Sequence, residues 1–292
     1  MRWLAIANPA AGRTHEAERM VNRLGSIPAV DVEVVRTRAP GDASRLALDA
    51  RAFDGVIAIG GDGTIAEVLQ GMDLERQRLA VLPAGHGNCL ARDLGVGSAD
   101  RALAALAGGL HRRLDLMDVR IRFASGLEDR RLCASTLAVG YVTDIVTFGR
   151  QRLHALGRAA YAAAAVVVVP RSFEASVAGS PGPCRPQRYT GLVINNTMHL
   201  ANFRGFPDAR LDDGVLDVME QRYGWPRQLL HNCAVLARSR AFGPARLRQA
   251  AADEFELQAA RTLMADGELL QDVTRVAVRC RPRAVTCVAG PS

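Results

Sequence analysis

The sequence predicts an α/β N-terminal domain on a parallel sheet, followed by a β-rich C-terminal domain arranged as an antiparallel sandwich. Three observations carry that prediction. Strand-like and helix-like segments alternate up to about residue 100, and apolar runs end on Asn8-Pro9, Gly60-Gly61 and Pro83-Ala84-Gly85. From Leu114 onward the chain changes to short, partly alternating runs separated by turn residues. Strands alternating with helices imply βαβ units with right-handed crossovers, whereas closely spaced alternating strands imply antiparallel pairing.

In order, RWLAIANP reads as a strand, HEAERMVNRLGS as a helix ending at glycine, VDVEVVRT as a second strand and GDASRLALDAR as a capped helix. DGVIAIGG is a third strand, TIAEVLQGM a helix opening after Thr64, RLAVLPAG a fourth strand and NCLARDLGV a further helix. The expected C-terminal strands are RLDLMDVRIRF, RLCASTLAVGYV, RSFEASVAG, RYTGLVINNT, GVLDVMEQR, FELQAA, TLMADGELL, VTRVAVRCRP and AVTCVAG. Helical interruptions are expected at 149–165 and 226–239, and GSPGPCRPQ reads as a hairpin loop. The expected domains are 1–115 and 116–292, with the last strands packing back on the first domain.

Composition narrows the chemistry. The 292-residue chain has a formal net charge of +7, and all 37 basic residues are arginine. Without lysine there is no Walker-type phosphate lysine, Schiff base or Ser-x-x-Lys pair, so phosphate chemistry must rely on backbone amides, arginine and metal. Excess positive charge permits attraction to anionic surfaces. The six cysteines, at 89, 133, 184, 233, 280 and 287, form no Cys-x-x-Cys pair and read as buried reduced thiols. The run AAYAAAAVVVVP is too short for a bilayer core of roughly 30 Å. The opening MRWLAIANPAAG reads as a strand rather than a leader, so a cytoplasmic protein is expected.

The stretch AIGGDGTIAE joins a strand to a helix. Gly60, Gly61 and Gly63 remove side chains that would block close approach. The helix N-terminus offers unpaired donors with partial positive charge, and Thr64 is the expected cap. That combination suits a polyphosphate, although a structural Gly-Asp-Gly turn has the same residues. Asp62 repels phosphates unless Mg²⁺ or a water network lies between. Asp266-Gly267-Glu268 offers two carboxylates that could take a proton, or an Asp-Gly hairpin turn with a solvated glutamate. Asp212-Asp213-Gly214 has the same ambiguity.

NPAAG, GGDGTIAEVLQG and LPAGHGNCLARDLG, in that order, resemble the diacylglycerol kinase catalytic family, which includes bacterial lipid kinases and sphingosine kinases. The resemblance continues through RLDLMDV, LGRAAYAAAA, NNTMHLANFRGFPDARLDDGVLDV and ADGE, and so covers nearly the whole chain. NAD kinases and phosphofructokinases share only the Gly-Gly-Asp-Gly loop, on a similar parallel sheet.

The resemblance implies an ATP- and Mg²⁺-dependent kinase acting on a hydroxyl of a lipid such as diacylglycerol or a sphingoid base. It puts ATP on Asn8, Pro9 and Gly12, on Thr37, and on Gly60, Gly61, Asp62, Gly63, Thr64, Ile65 and Ala66. The loop carrying Gly85, His86 and Asn88 closes over the nucleotide. Arg13 is the candidate to replace a relative's phosphate lysine. Arg210, Asp213 and Val215 match a structural Mg²⁺ site of one carboxylate and two backbone carbonyls. Glu268 matches the proton acceptor, with Asp266 and Asp62 as further catalytic carboxylates and Asp115 an acidic position near the cleft. His86 and Cys89 depart from the usual pattern at their positions, and imidazole at His86 would make nucleotide affinity pH-dependent.

The expected partner is a lipid at the inner face of a membrane, met peripherally. A homodimer is left open. The segment GRQRLHALGRAAYAAAAVVVVP reads either as an interfacial surface or as core packing with a solvated arginine face. RYGWPRQ and SRAFGPARLR put aromatics beside arginines, and neither resembles a nucleic-acid module. Two other readings stay open: an NAD kinase-like enzyme, and a non-catalytic nucleotide- or lipid-binding regulator.

Overall fold

The computed structural model describes the chain except residues 13, 28–29, 86, 154–159, 180–184, 201–202, 223, 225, 229–245 and 292. The chain divides into two units. Unit 1 comprises Met1–Leu116, Leu211–Asp213 and Arg281–Ser292, and unit 2 comprises Met117–Arg210 and Gly214–Cys280.

Unit 1 begins with β1 (Arg2–Ala7), α1 (Thr14–Leu24), β2 (Asp31–Arg36), α2 (Asp42–Asp49), β3 (Gly55–Gly60), α3 (Asp62–Gly71), β4 (Arg78–Pro83), α4 (Cys89–Asp93) and α5 (Ala99–Gly108). The strands are parallel in the order β2-β1-β3-β4. β3 is buried along its whole length, as expected of a strand covered by helices on both faces. β2 lies on one side of β1 and β3 on the other, so the strand order reverses at β1. In sheets of this kind ligands settle beyond the carboxyl ends of the strands at such a point.

α5 is absent from the sequence expectations, although its ends are well marked. Ser98 accepts from Arg101 N at 3.4 Å at one end, and Gly109 takes φ 68 at the other. α2 and α3 cross so closely that a Cβ on Gly71 would sit 1.9 Å from Ser44 O.

The chain continues through β5 (His111–Phe123), β6 (Glu128–Cys133), β7 (Thr136–Gly140), α6 (Tyr141–Arg152), α7 (Ala160–Val167), β8 (Phe173–Val177), β9 (Gln187–Tyr189), β10 (Gly191–Asn195), β11 (His199–Leu200), β12 (Phe203–Arg204), β13 (Leu216–Gln221), β14 (Arg246–Ala250), β15 (Ala252–Ala265) and β16 (Glu268–Val288). Within unit 2 the pairing is antiparallel, in the order β14-β13-β10-β7-β15-β16. Two branches extend it, β6 pairing β5 and β9 pairing β8. β15 meets β8 through Phe255–Leu257 and β7 through Leu263–Ala265, with register shifts between them. Such irregularities let one strand serve two parts of a curved sheet. Met117, Cys133, Leu137, Phe173, Leu216 and Val276 belong to the resulting core. A second cluster, including Val142, Phe206, Met219 and Met264, is joined by Val146 of α6.

Three expected segments are redrawn. RLCASTLAVGYV is two strands and a helix start, broken at Ala134-Ser135 and at Gly140, whose φ of 83 turns the chain. FELQAA and TLMA belong to the single strand β15, and the ELL end of TLMADGELL joins the last two expected runs in β16. The end of β16 pairs in parallel with β4, Thr286 opposite Arg78. Expected helical residues 229–239 and the tip of the GSPGPCRPQ loop lie outside the described residues. Cys89, Cys133, Cys280 and Cys287 are buried, and Cys184 and Cys233 lie outside the described residues. Among the described residues no helix is long and apolar enough to cross a membrane.

Candidate active site

In unit 1 the parallel register aligns the strand ends, Ala7 lying opposite both Arg36 and Ile59, and Gly60 opposite Pro83. Asn8, Thr37, Gly60-Gly61 and Ala84-Gly85 therefore follow neighbouring strands at one edge. The connections are direct: Asn8 N donates to Ile59 O at 3.0 Å, Thr37 N to Ala7 O at 3.0 Å and Ala84 N to Gly60 O at 2.8 Å.

The glycines let two loops touch. A Cβ on Gly85 would lie 2.5 Å from Gly61 Cα, and one on Gly60 would lie 2.3 Å from Thr64 Oγ1. Asn88 holds the second loop through both ends of its side chain. Its Oδ1 accepts from Gly85 N at 3.0 Å and its Nδ2 donates to Gly85 O at 2.8 Å. It does so in the left-handed conformation (φ 52), which asparagine tolerates better than most residues.

α3 starts at Asp62, not after Thr64, which corrects the sequence expectation. Gly61 is the N-cap and provides no side-chain cap bond. Thr64 sits in the first turn, its N–H donating to Gly61 O at 3.0 Å and its hydroxyl accepting from Asn8 Nδ2 at 3.0 Å. Asn8 is itself fixed by Ala10 N donating to its Oδ1 at 2.9 Å. The uncapped end of α3 presents amides and partial positive charge at the strand edge. Asp62 is half-buried beside Gly87, where a Cβ would lie 2.9 Å from Asp62 Oδ2. Pro9 and Gly12 are exposed in the turn after β1. Ile65 is a buried core side chain, so only its backbone faces outward chemistry, and Ala66 is half-buried on α3. Arg13 and His86 lie outside the described residues.

Asp115 is buried and its Oδ1 accepts from Arg283 N at 2.7 Å, so this carboxylate secures an irregular point of β16. In the turn carrying Arg210, Asp213 and Val215, Gly214 takes φ 79. Asp212 is engaged by Arg112 at 3.0 Å, while Asp213 is exposed. What the turn offers a metal is oxygen alone, one carboxylate with neighbouring carbonyls, which fits a hard cation such as Mg²⁺. Among the described residues no three His, Cys, Asp or Glu side chains gather as a metal group.

Asp266 and Glu268 flank a two-residue hairpin turn, Ala265 pairing with Glu268, with φ 46 at Asp266 and 88 at Gly267. Asp-Gly is the sequence this mirror-image turn favours. The two carboxylates have different surroundings. Asp266 is buried and accepts from Ala134 N at 2.6 Å, Ser135 N at 2.8 Å and Thr136 N at 2.8 Å. Burial pushes its carboxyl up to about 6 against the pull of those amides. Both of its oxygens are thus occupied by backbone amides, which fixes the turn against residues 134–136. Glu268 is open to solvent, and its Oε2 accepts from Arg131 Nη1 at 2.7 Å.

Sequence reasoning missed the residues that support this turn. Arg131 holds Asp129 with its other edge, Nε to Oδ2 at 2.9 Å. Burial opposes the Arg131 charge, and the Asp129 and Glu268 carboxylates outweigh it. Arg150 approaches the tip, its Nη2 3.3 Å from where a Gly267 Cβ would lie. Beneath, Thr136 donates to Asn195, Asn195 donates to Thr197 O, and Asn196 N donates to Ser135 O at 2.9 Å. Three adjacent polar residues, Asn195, Asn196 and Thr197, are thus fully buried, and their run inside an apolar strand end was the available signal. Burial, reinforced by the Asp266 charge, pushes the nearby Cys133 thiol up and keeps it neutral.

Residues 2–119 match the family model of the diacylglycerol kinase catalytic domain. Over 230 residues the chain is 29% identical to the diacylglycerol kinase of Bacillus subtilis (strain 168), spanning 73% of this chain and 71% of that protein. Over 126 residues it is 27% identical to sphingosine kinase B of Dictyostelium discoideum, 39% of this chain but 17% of that protein. A diacylglycerol kinase crystal structure from Bacillus anthracis str. Sterne superposes with a TM-score of 0.77 at 20% identity, covering 99% of this chain and 97% of that one. Yeast NADH kinase gives 0.51 at 12% identity, covering 100% and 84%. These two likenesses concern the fold and agree with an α/β domain followed by an antiparallel, strand-rich one. Residues 2–119 thus carry a match to the diacylglycerol kinase catalytic domain, and the chain is an enzyme of the lipid kinase class.

Proposed function

We propose that the chain transfers the γ-phosphate of ATP to a hydroxyl of a lipid such as diacylglycerol or a sphingoid base, at a membrane it meets peripherally. The observation that carries this reading is the contact between the Gly61 and Gly85 backbones beside the uncapped start of α3. Bulk is excluded there and amides are offered, which is what a polyphosphate needs.

In this reading Asn8, Pro9, Gly12, Thr37, the segment Gly60–Ala66, Gly85 and Asn88 hold the nucleotide, the first turn of α3 taking its phosphates. Phosphoryl transfer asks chiefly for positioning and charge neutralisation. Glu268 takes the proton of the attacking hydroxyl, and Arg131 fixes the carboxylate's direction. Arg210, Asp213 and Val215 would hold Mg²⁺, and the ion would supply positive charge that orders the acidic turn.

The test incubates the protein with labelled ATP, Mg²⁺ and a total lipid extract, with the product identified by mass. Label in a phosphorylated lipid supports the reading. The same assay with NAD examines the second reading, suggested by the fold shared with yeast NADH kinase. Label in NADP and none in lipid would replace the lipid acceptor. No transfer to any acceptor would leave a nucleotide-binding regulator.

A further inference from the structure

Unit 2 contains a cavity of about 540 Å³ that none of the kinase residues lines. Its walls carry Asp118 and Arg120 from β5, Arg130 from β6, Asp253 and Glu254 from β15, and Arg279 from β16. The volume falls within the roughly 300–1,000 Å³ usual for small-molecule sites.

The walls carry three carboxylates and three arginines, but arginines outside the walls take two of those carboxylates. Arg130 grips Asp118, Nε to Oδ1 at 2.8 Å. Asp253 is paired with Arg248, and Glu254 with Arg275. Among the described residues Arg120 and Arg279 have no ion-pair partner. Arg120 also lies directly opposite Arg130 across the β5–β6 pair. Like charges directly opposite on one face of a sheet destabilise the pair. A bound anion would relieve both features, and guanidinium groups match phosphate geometry. The neighbouring carboxylates, Asp118 and Glu254, provide acceptors for hydroxyl groups at the same place.

We propose that this cavity binds a phosphorylated polyol of about glycerophosphoryl size, with Arg120 and Arg279 on its phosphate and Asp118 and Glu254 on its hydroxyls. Two sources share that chemistry: a soluble polyol phosphate and the headgroup of phosphatidylglycerol. The site is independent of the nucleotide loop and of Glu268.

The full chain is titrated calorimetrically with sn-glycerol phosphate and with glycerol, without ATP. It is also sedimented with vesicles of phosphatidylglycerol in phosphatidylcholine, and of phosphatidylcholine alone. Saturable binding of sn-glycerol phosphate, at least ten-fold tighter than glycerol, supports a soluble ligand. Binding confined to phosphatidylglycerol vesicles supports the headgroup. In either case Arg120→Gln with Arg279→Gln weakens binding at least ten-fold without lowering the melting temperature, while Glu268→Gln leaves binding unchanged. Both arginines are exposed, so the double variant is expected to fold. Equal binding by the double variant and the parent, or binding to none of these probes, overturns the proposal. Because no step involves phosphate transfer, that failure is distinct from failure of the kinase reading.

Discussion

Arg131 spans two carboxylates, donating to Glu268 at 2.7 Å through Nη1 and to Asp129 at 2.9 Å through Nε. This ties an otherwise exposed glutamate to a second strand, β6, and fixes its direction. Arg131→Leu releases that hold without unfolding the turn, which Asp266 secures separately. We expect kcat to fall on the order of 10²-fold, the scale of a small misplacement of a reacting group, with partial rescue in Arg131→Lys. Melting should fall as well, because Arg131 and Asp129 are half-buried and the substitution leaves the Asp129 carboxylate without that partner. Steady-state kinetics on all three proteins, with thermal melts, checks this.

Glu268→Gln preserves shape and an acceptor for Arg131 but removes the base. Turnover with saturating ATP and lipid should drop roughly 10²–10⁴-fold, with ATP affinity unchanged. Turnover equal to the parent's would move the proton acceptor elsewhere.

Gly85→Ala drives a methyl to 2.5 Å from Gly61 Cα and 2.9 Å from Asn88 Oδ1. Relief requires the two loops to separate, at a cost of about 1–3 kcal/mol. Equilibrium dialysis should show weaker ATP binding, and urea unfolding a lower midpoint. Gly25→Ala, where nothing lies within 4 Å, should alter neither.

Asp266 gives stability a pH dependence with a defined sign. Its carboxyl is raised by burial from 3.8 in the open chain to about 6 in the fold. Between those values the native state binds the extra proton, so this contribution to stability falls as pH rises from about 4 to 6 and is level above that. Asp266→Asn should remove the slope. Urea midpoints of both proteins from pH 4 to 8, taken as a difference, should decline through that window. A difference that stays flat would contradict the assignment.

Much of unit 1 was legible because its rules are local. Parallel strands buried on both faces read as apolar runs, and each ends where glycine, proline or asparagine breaks the pattern. The start of α3 was misplaced for a local reason too, since threonine is a common cap and only packing shows its hydroxyl taken by Asn8. Asp266 and Glu268 could not be separated from sequence. They are two residues apart in a turn, and their difference lies in which one finds the amides of 134–136, 130 to 132 residues away. Arg131 and Arg150 were hidden likewise, because arginine is everywhere in this chain and only long-range pairing picks out two. The lengths of β15 and β16 were underestimated because register shifts and the left-handed Arg283 interrupt their alternation without ending them.

β16 gives its first residues to unit 2, as far as Cys280, and its last to unit 1, from Arg281. Neither unit can close its sheet until this late strand has left the ribosome. The parallel half made first must therefore wait with the flank of β4 open, a sticky edge that translation exposes for the time taken to synthesise some two hundred residues.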